Sequence, residues 1–483
     1  MSTAPLTRTL PRDVRSRSVA LPFAAIVLAM LPAVLDQTIL STALPVVARD
    51  LGSVSDVAWV VTAYVVAAAT ATPLWGKLGE RHGRKRLLTL ALTAFLAAST
   101  LCGLAQDITQ LVALRFVQGT AAGGLMVLAM AVVGDLVAPR ERGRYQGYIA
   151  ATFAVATIVG PLLGGLLTEH ASWRWVFFVN LPLGATALTV LSRQLPAPAM
   201  ERPERPFDTA GAVLLAGATS ALMLTCVWGG ERYAWDSAPI MALIAATLAL
   251  SGALVWRERR AADPIVPVRL LRTRPVAVAS AALFFTLAAL FAVTVFVPLF
   301  LQITTGATPT QAGLLLIPAM LGITVSTTVS GRLMARTGRY KRFPIAGLAL
   351  MSAALALLAA LAGDPSRIRT GIAIAIFGLG FGMVTQILVV AVQNSVDRRE
   401  LGIATAVTGF FRALGGAVGA AALGAVFAAQ ADTRAAEAAG SVLRSDVVDG
   451  VQSVFLAAAP LAALALAIVL LLPERPLKTR MGG

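Results

Sequence analysis

Asp36, Arg115 and Arg412 are ionisable side chains set deep inside long apolar runs of this chain. A charged group in such a place costs roughly 2.5–3.5 kcal/mol on insertion scales, so each is a functional candidate by default. The chemistry these residue types offer is ion pairing and reversible protonation. A carboxyl in apolar surroundings keeps its proton, whereas one beside a cation or water gives it up. A carboxyl whose surroundings alternate can therefore carry a proton across a barrier; the simpler alternative is a static ion pair. His82 and His170 are too few and too far apart for a zinc cluster or a catalytic triad. Cys102 and Cys226 lie in apolar runs and suggest neither a disulfide framework nor a metal site. No P-loop pattern points to ATP. The chain is expected to be no enzyme and to use no metal and no cofactor.

The elements that position these groups follow from composition. Of 483 residues, 57% are hydrophobic and 13% are charged, about half the charge of a soluble domain. The apolar surface must therefore face something other than water. Fourteen stretches reach the roughly 20 apolar residues a spanning helix needs: 20–44, 57–76, 87–106, 109–136, 145–168, 173–192, 209–229, 237–256, 276–301, 310–331, 343–362, 370–393, 401–428 and 451–472. They are continuously apolar rather than alternating, which excludes a β-barrel. The first is too long for a cleavable signal. The net charge of +16 does not mark a nucleic-acid protein, because the basic residues cluster in short loops between the runs. With the N-terminus inside, the cytoplasmic segments hold 31 Lys and Arg and the external loops 7. That bias puts both termini in the cytoplasm. Of the 40 basic residues 36 are Arg, which with abundant Ala and Gly suggests a high-GC bacterium and so its inner membrane.

Depth is readable too. Asp36 lies nine residues before Pro45, about 13 Å from the outer end of span 1, and Arg115 about 9 Å from the same face in span 4. The two groups share the outer half. Gln118, three residues after Arg115, shares its helix face and can hold it. Arg412 lies in span 13 between Gly409 and Gly415-Gly416, where a structural and a substrate role are both open.

Two Pro-rich stretches, 195–208 and 257–275, divide the chain into six, two and six spans: 1–205, 206–260 and 261–483. The outer sets look like copies. Gly76–Arg86 and Gly331–Lys341 share both glycines, the Arg after the second and a later basic residue, at a constant offset. Parallel six-span halves are one large transporter architecture.

Those loops resemble the signature of the major facilitator superfamily, and further motifs agree. Leu35-Asp36-Gln37-Thr38-Ile39 through Ala43-Leu44-Pro45 resembles the first-span motif of its fourteen-span drug:proton antiporters. Arg115-Phe-Val-Gln118-Gly119 resembles the fourth-span motif linked to proton coupling, Gly160-Pro161-Leu-Leu-Gly164-Gly165 the fifth-span motif of exporters, and Trp173-Arg174-Trp175 through Asn180 and Pro182 the start of span 6. Two departures stand out: the usual Asp of the loop motif is Glu80, and its second copy is Ala335. Span 10 carries no carboxylate, which weighs against divalent cations as cargo.

The resemblance implies an all-α membrane protein with the major facilitator fold: two six-helix bundles plus two extra central helices, 14 transmembrane helices in all, acting as a monomer. It implies proton-coupled export of hydrophobic drugs, dyes or antibiotics by alternating access. Asp36 and Arg115 would couple protons. Gly76, Glu80, Arg81, Gly83 and Arg84 would form a conformational latch, with Glu80 meeting cationic or helix N-terminal groups of the other half. Gly160, Pro161, Gly164 and Gly165 would give span 5 a thin, kinkable face for rocking against the opposite half, the alternative being simple helix packing. Gln37, Gln118, Asn180, Gln386 and Arg412 are the cavity candidates, with Gln393 and Asn394 and the aromatics of spans 9 and 12 (Phe284, Phe285, Phe291, Phe296, Phe377, Phe381) beside them. The expected partners are a hydrophobic small molecule, neutral or monocationic, protons and the lipid bilayer, and no nucleic acid. Export of a specific metabolite, siderophore or lipid is the alternative; a non-transporting receptor would need a soluble domain larger than the loops here.

Overall fold

Lipid cannot hydrogen-bond a backbone, so each apolar run satisfies its own peptide groups by coiling into a helix. The computed structural model describes residues 20–51, 57–137, 139–194, 206–230, 232–305, 316–363, 366–397, 400–431 and 444–477. Most of the first Pro-rich linker, and Arg8 and Lys478 in the tails, lie outside them. The described residues form helices and no β-strand.

Spans 1 to 5 are single helices, Ala20–Asp50, Val57–His82, Arg84–Gly103, Ile108–Leu136 and Pro139–His170. Span 6 is a turn, Trp175–Phe178, followed by Asn180–Gln194. Spans 7 and 8 are Thr209–Trp228 and Ala238–Glu258. Span 9 runs from Arg274 to Thr305 through a π-helical stretch, Ala292–Phe296. Span 10 is Ile317–Thr337, span 11 Arg342–Leu361, span 12 the pair Arg367–Gly382 and Thr385–Ser395, span 13 Leu401–Ala431 and span 14 Arg444–Leu470. Among the described residues thirteen of these have the length and hydropathy to cross a membrane. The fourteenth, span 10, is a 21-residue helix made more polar by Thr324, Ser326, Thr327, Thr328, Ser330 and Arg332.

Two helices run past their expected ends. Span 2 continues through the supposed loop to His82, so Lys77, Glu80 and Arg81 are helical. Only Gly83 interrupts the chain before span 3, with φ at 89°. Its counterpart Gly338 ends span 10 with φ at 69°. Only glycine takes such angles freely. The repeated glycine is thus a helix break used twice, and leaving the apolar run is not by itself a reason for a helix to stop.

Span 2 packs on span 4, span 3 on span 4, and span 1 on spans 5 and 6; in the later half span 9 packs on span 13, span 10 on span 12, and span 11 on spans 12 and 14. Contact between the halves runs chiefly through span 2 against span 13 and span 5 against span 10. Each pairs a second helix of one half with a fifth helix of the other, so exchanging the halves maps one seam onto the other. Lipid tails are as apolar as Leu, so helices associate through close approach of small residues rather than through burial from water. Accordingly, a Cβ at Gly119 or Gly123 of span 4 would run into the backbone of Tyr64 or Ala68 on span 2.

Spans 7 and 8 pack on each other, and span 7 also meets spans 2 and 13. Span 8 buries only Ile240 and Glu258, and its Leu248 is 69% exposed. With its apolar composition, that face belongs against lipid. The end of the molecule carrying the loops after spans 2, 4, 8, 10 and 12 is called here the basic end.

Candidate functional site

Asp36 is fully buried in the first half. Its Oδ2 accepts from Arg115 Nη1 at 2.5 Å. Its Oδ1 accepts from Gln118 Nε2 at 3.0 Å and Asn180 Nδ2 at 3.2 Å. Arg115 also donates to Gln118 Oε1 at 2.8 Å and, through Nε, to the Val60 carbonyl at 3.1 Å. Its guanidinium lies 4.2 Å from the ring centroid of Tyr64, whose hydroxyl donates to the Ala33 carbonyl at 3.3 Å. Asn180 donates to Ser99 Oγ at 3.0 Å, and Ser99 donates to the Phe177 carbonyl at 2.9 Å. Spans 1, 2, 3, 4 and 6 thus meet around one carboxylate. A pair this deep is tolerable because donors fill the lone pairs; removing one partner of such a pair typically costs about 3–5 kcal/mol.

A cavity of about 290 Å³ lies beside this cluster. Spans 1, 2 and 4 supply most of its wall, and spans 12 and 13 the rest. Gln37 and Arg412 line it. Gln118 and Asn180, expected there, are instead buried in the Asp36 cluster. Gln386 and the aromatics of spans 9 and 12 are not among the lining residues. Gln393 and Asn394 bind elsewhere, Gln393 Nε2 to Thr405 Oγ1 at 3.0 Å and Asn394 Nδ2 to the Pro476 carbonyl at 3.2 Å.

At the basic end the halves are in close contact. Gly76 faces Gly402 and Ala406 of span 13, and Gly331 faces Gly143 of span 5. Glu80 Oε1 accepts from the Ile403 N–H at 2.7 Å, in the first turn of span 13, where a carboxylate also meets the positive end of the helix dipole. Arg84 pairs with Asp135 at 2.5 Å within the first half. Lys77 pairs with Asp263, and Arg81 reaches the same carboxylate at 2.7 Å. Across the other seam, buried Arg142 donates to Gln393 Oε1 at 3.3 Å and to the Gly134 and Val137 carbonyls.

Substitution at Glu80 separates charge from hydrogen bonding. Glu80→Gln keeps an acceptor for Ile403 and should slow turnover modestly. Glu80→Ala leaves that N–H unsatisfied, at a cost of about 0.5–2 kcal/mol for a lost helix-start acceptor, and should slow it further. Cargo affinity should hold in both, and equal turnover in wild type and Glu80→Ala would dismiss the latch.

The fifth-span motif faces inward. A Cβ at Gly160 or Gly164 would strike Thr38 or Thr42 of span 1, whereas at Gly165 it would meet nothing within 4 Å. The Thr38 hydroxyl also donates to the Ala156 carbonyl at 3.1 Å. Pro161 lies within the continuous helix Pro139–His170. In this structure, then, the two glycines bring span 5 onto its own half. Gly165→Ala should match wild type in yield and transport, while Gly160→Ala and Gly164→Ala should lower both; thermal stability of the purified variants reads the difference.

Tyr64, Ser99, Arg142 and Asp263 escaped the sequence reading. Tyr64 had a signal, since a mid-span phenol needs a partner for its hydroxyl. Asp263 sits in the linker after span 8 and Arg142 in the first turn of span 5, and the contacts of both depend on the fold.

With this geometry in view, comparisons with known proteins are informative. The family model described as Major Facilitator Superfamily matches residues 26–420. An uncharacterized MFS-type transporter of Mycobacterium tuberculosis is 37% identical over 427 residues, covering 88% of this chain and 61% of that protein; the chain therefore spans about three fifths of that relative's length. The multidrug transporter protein MdtP of Bacillus subtilis is 33% identical, covering 84% of this chain and 74% of MdtP. Among solved structures, the human organic anion transporter MFSD10 superposes with a TM-score of 0.68 over 94% of this chain and 100% of its own, at 16% identity. At that identity the likeness concerns the fold alone.

Proposed function

We propose, on the premise that this chain belongs to the Major Facilitator Superfamily, that it is a proton-coupled exporter of hydrophobic small molecules working by alternating access. The observation that carries this reading is the position of Tyr64. Its ring stacks on Arg115, the partner of Asp36, and the same residue lines the cavity. A cargo entering the cavity touches the group that holds the ion pair in place, and so can bias whether that pair stays closed. In this reading Asp36 is the proton carrier, and it exchanges its proton when the pair parts. The half-to-half contacts of Gly76, Glu80, Arg142 and Gly143 correspond to a state shut at the basic end. The moving bodies are residues 1–205 and 261–483, with the helices of 206–260 beside them, and the protein acts as a monomer.

A proton entering through about 150 mV releases about 3.5 kcal/mol. At about 1.36 kcal/mol per decade this sustains roughly a 300-fold gradient of a neutral cargo. The names of multidrug relatives support a broad range of cargo. Export of a single metabolite, siderophore or lipid is the second reading, and a dye panel separates the two. The test of the function is uptake of candidate compounds into inverted vesicles under an imposed pH gradient: uptake that collapses with the gradient supports coupling, and gradient-independent uptake refutes it.

The basic end is assigned to the cytoplasm of a bacterial inner membrane, from the 31-to-7 distribution of Lys and Arg. Reporter fusions at Arg8 and Lys478 should both report a cytoplasmic location. Fusions on opposite faces would reject an even number of spans.

Asp263 ties the linker after span 8 to Lys77 and Arg81. Its carboxylate is partly solvated, so each ion pair contributes on the order of 1 kcal/mol or less. Asp263→Asn should alter turnover by less than Glu80→Ala does; a larger loss would show that the inserted helices restrain the latch.

A further inference from the structure

We infer that the cavity takes an amphipathic organic anion, an apolar body bearing one carboxylate or sulfonate. This rests on the transporter reading above and narrows its cargo, where sequence had pointed to a neutral or monocationic one.

Charge in the wall carries the inference. Arg412 is the charged residue lining the cavity, and the described wall contains no carboxylate. Among the described residues its guanidinium has no hydrogen-bond or ion-pair partner, and it is half-buried at the cavity surface. A second cation stands behind the floor. Arg142 is buried, and its hydrogen bonds go to neutral acceptors, two carbonyls and Gln393 Oε1; the carboxylate that acts on it, Asp135, is shared with Arg84. Gln393 in turn donates to Thr405, which lines the cavity. The carboxylates near these elements are already engaged: Asp36 by Arg115, Asp135 by Arg84 and Glu80 by the Ile403 N–H.

A cation held in a low-dielectric wall without a counter-ion is costly, and the cargo is the available source of one. A monocationic cargo would add repulsion and find no partner. The apolar part of the wall, with Val65, Met126 and Met130, suits a flat ring system, and methionine adapts to varied shapes. The volume of about 290 Å³ lies at the lower edge of ligand pockets, which favours one fused bicycle over a larger dye.

The charge of the cargo also sets the driving force. Exchanging one proton for a monocation moves no net charge. Exchanging one inward proton for one outward monoanion moves two charges in the same electrical sense, so membrane potential alone drives export.

The test uses the full chain in zwitterionic nanodiscs and three probes with one ring system: 2-naphthalenesulfonate, 2-naphthylmethanol and 2-naphthylmethylammonium. The sulfonate should bind about tenfold or more tighter than the other two. Arg412→Gln should bring it to the affinity of the alcohol while leaving the alcohol unchanged, which also shows the cavity intact. Arg412→Lys should retain the preference. An ammonium bound as tightly as the sulfonate, or a sulfonate affinity indifferent to Arg412→Gln, overturns the inference. In proteoliposomes at equal pH, an imposed potential should drive sulfonate flux; a potential-independent flux counts against an anionic cargo. A sulfonate preference with no gradient-driven flux would sustain the inference while removing the proton-coupled reading it rests on.

Discussion

Asp36→Asn is expected to reduce gradient-driven export to the level of vesicles lacking the protein, with the chain still inserted in the membrane. The reason is chemical. Asn cannot gain and lose a proton, and it keeps one acceptor oxygen where the carboxylate offers Oδ2 to Arg115 and Oδ1 to Gln118 and Asn180. The structure adds a cost: Arg115 is 1% exposed and would lose its counter-ion, and breaking a buried pair costs about 3–5 kcal/mol. The bonds Asn retains, the Val60 carbonyl and the Tyr64 ring offset part of that. Yield should therefore fall while residual protein remains measurable. Asp36→Asn combined with Arg115→Gln removes both charges; it should recover stability but not coupling. Passive movement of cargo down its own gradient should persist in both variants, since alternation itself needs no proton. Wild-type accumulation by the Asn variant in inverted vesicles would dismiss Asp36 as the carrier and leave Asp135 as the next candidate, although Asp135 already pairs with Arg84 at the basic end.

The same cluster shows what a linear sequence can and cannot disclose. The helices were legible because in lipid apolar length alone compels them. The equal depth of Asp36 and Arg115 followed from helix rise, and the position of Gln118 from its three-residue offset. Asn180 was visible only through a resemblance, and that pointed it toward the cavity; the fold instead sets it between Asp36 and Ser99. Ser99 gave no signal, being one hydroxyl among many. The continuation of span 2 to His82 was hidden for a different reason. Hydropathy reports where lipid ends, whereas the helix ends where Gly83 adopts a positive φ. The repeated glycines of the two loops were legible as a pattern, but their partners were not: Gly143 and Gly402 each follow an Arg-Glu-x step, yet which helices meet at the seams is set by the fold.

Those partners give the other large effect. A Cβ at Gly331 would run into the Gly143 carbonyl oxygen and stand 2.5 Å from its carbonyl carbon, and these are backbone atoms that no rotamer change can move aside. Gly331→Leu should therefore wedge spans 5 and 10 apart at the basic end. Overpacking of this kind costs about 1–3 kcal/mol, and the cost falls only on the state in which the seam is shut. That state should lose population by roughly ten- to a hundredfold, and coupled export should fall with it, because the cycle must pass through it. The fold should survive, since the contacts within each half are untouched. Gln146 provides a reporter: it is 1% exposed on span 5 beside this seam. In an otherwise unchanged chain, Gln146→Cys should resist a polar maleimide; with Gly331→Leu added it should react quickly from the basic face. Gly416→Ala, at a glycine with open space around its Cβ position, is the matched control and should leave labelling and transport as they are. If Gly331→Leu transports at the wild-type rate with the introduced thiol still protected, the close approach of Gly143 and Gly331 is not part of the working cycle.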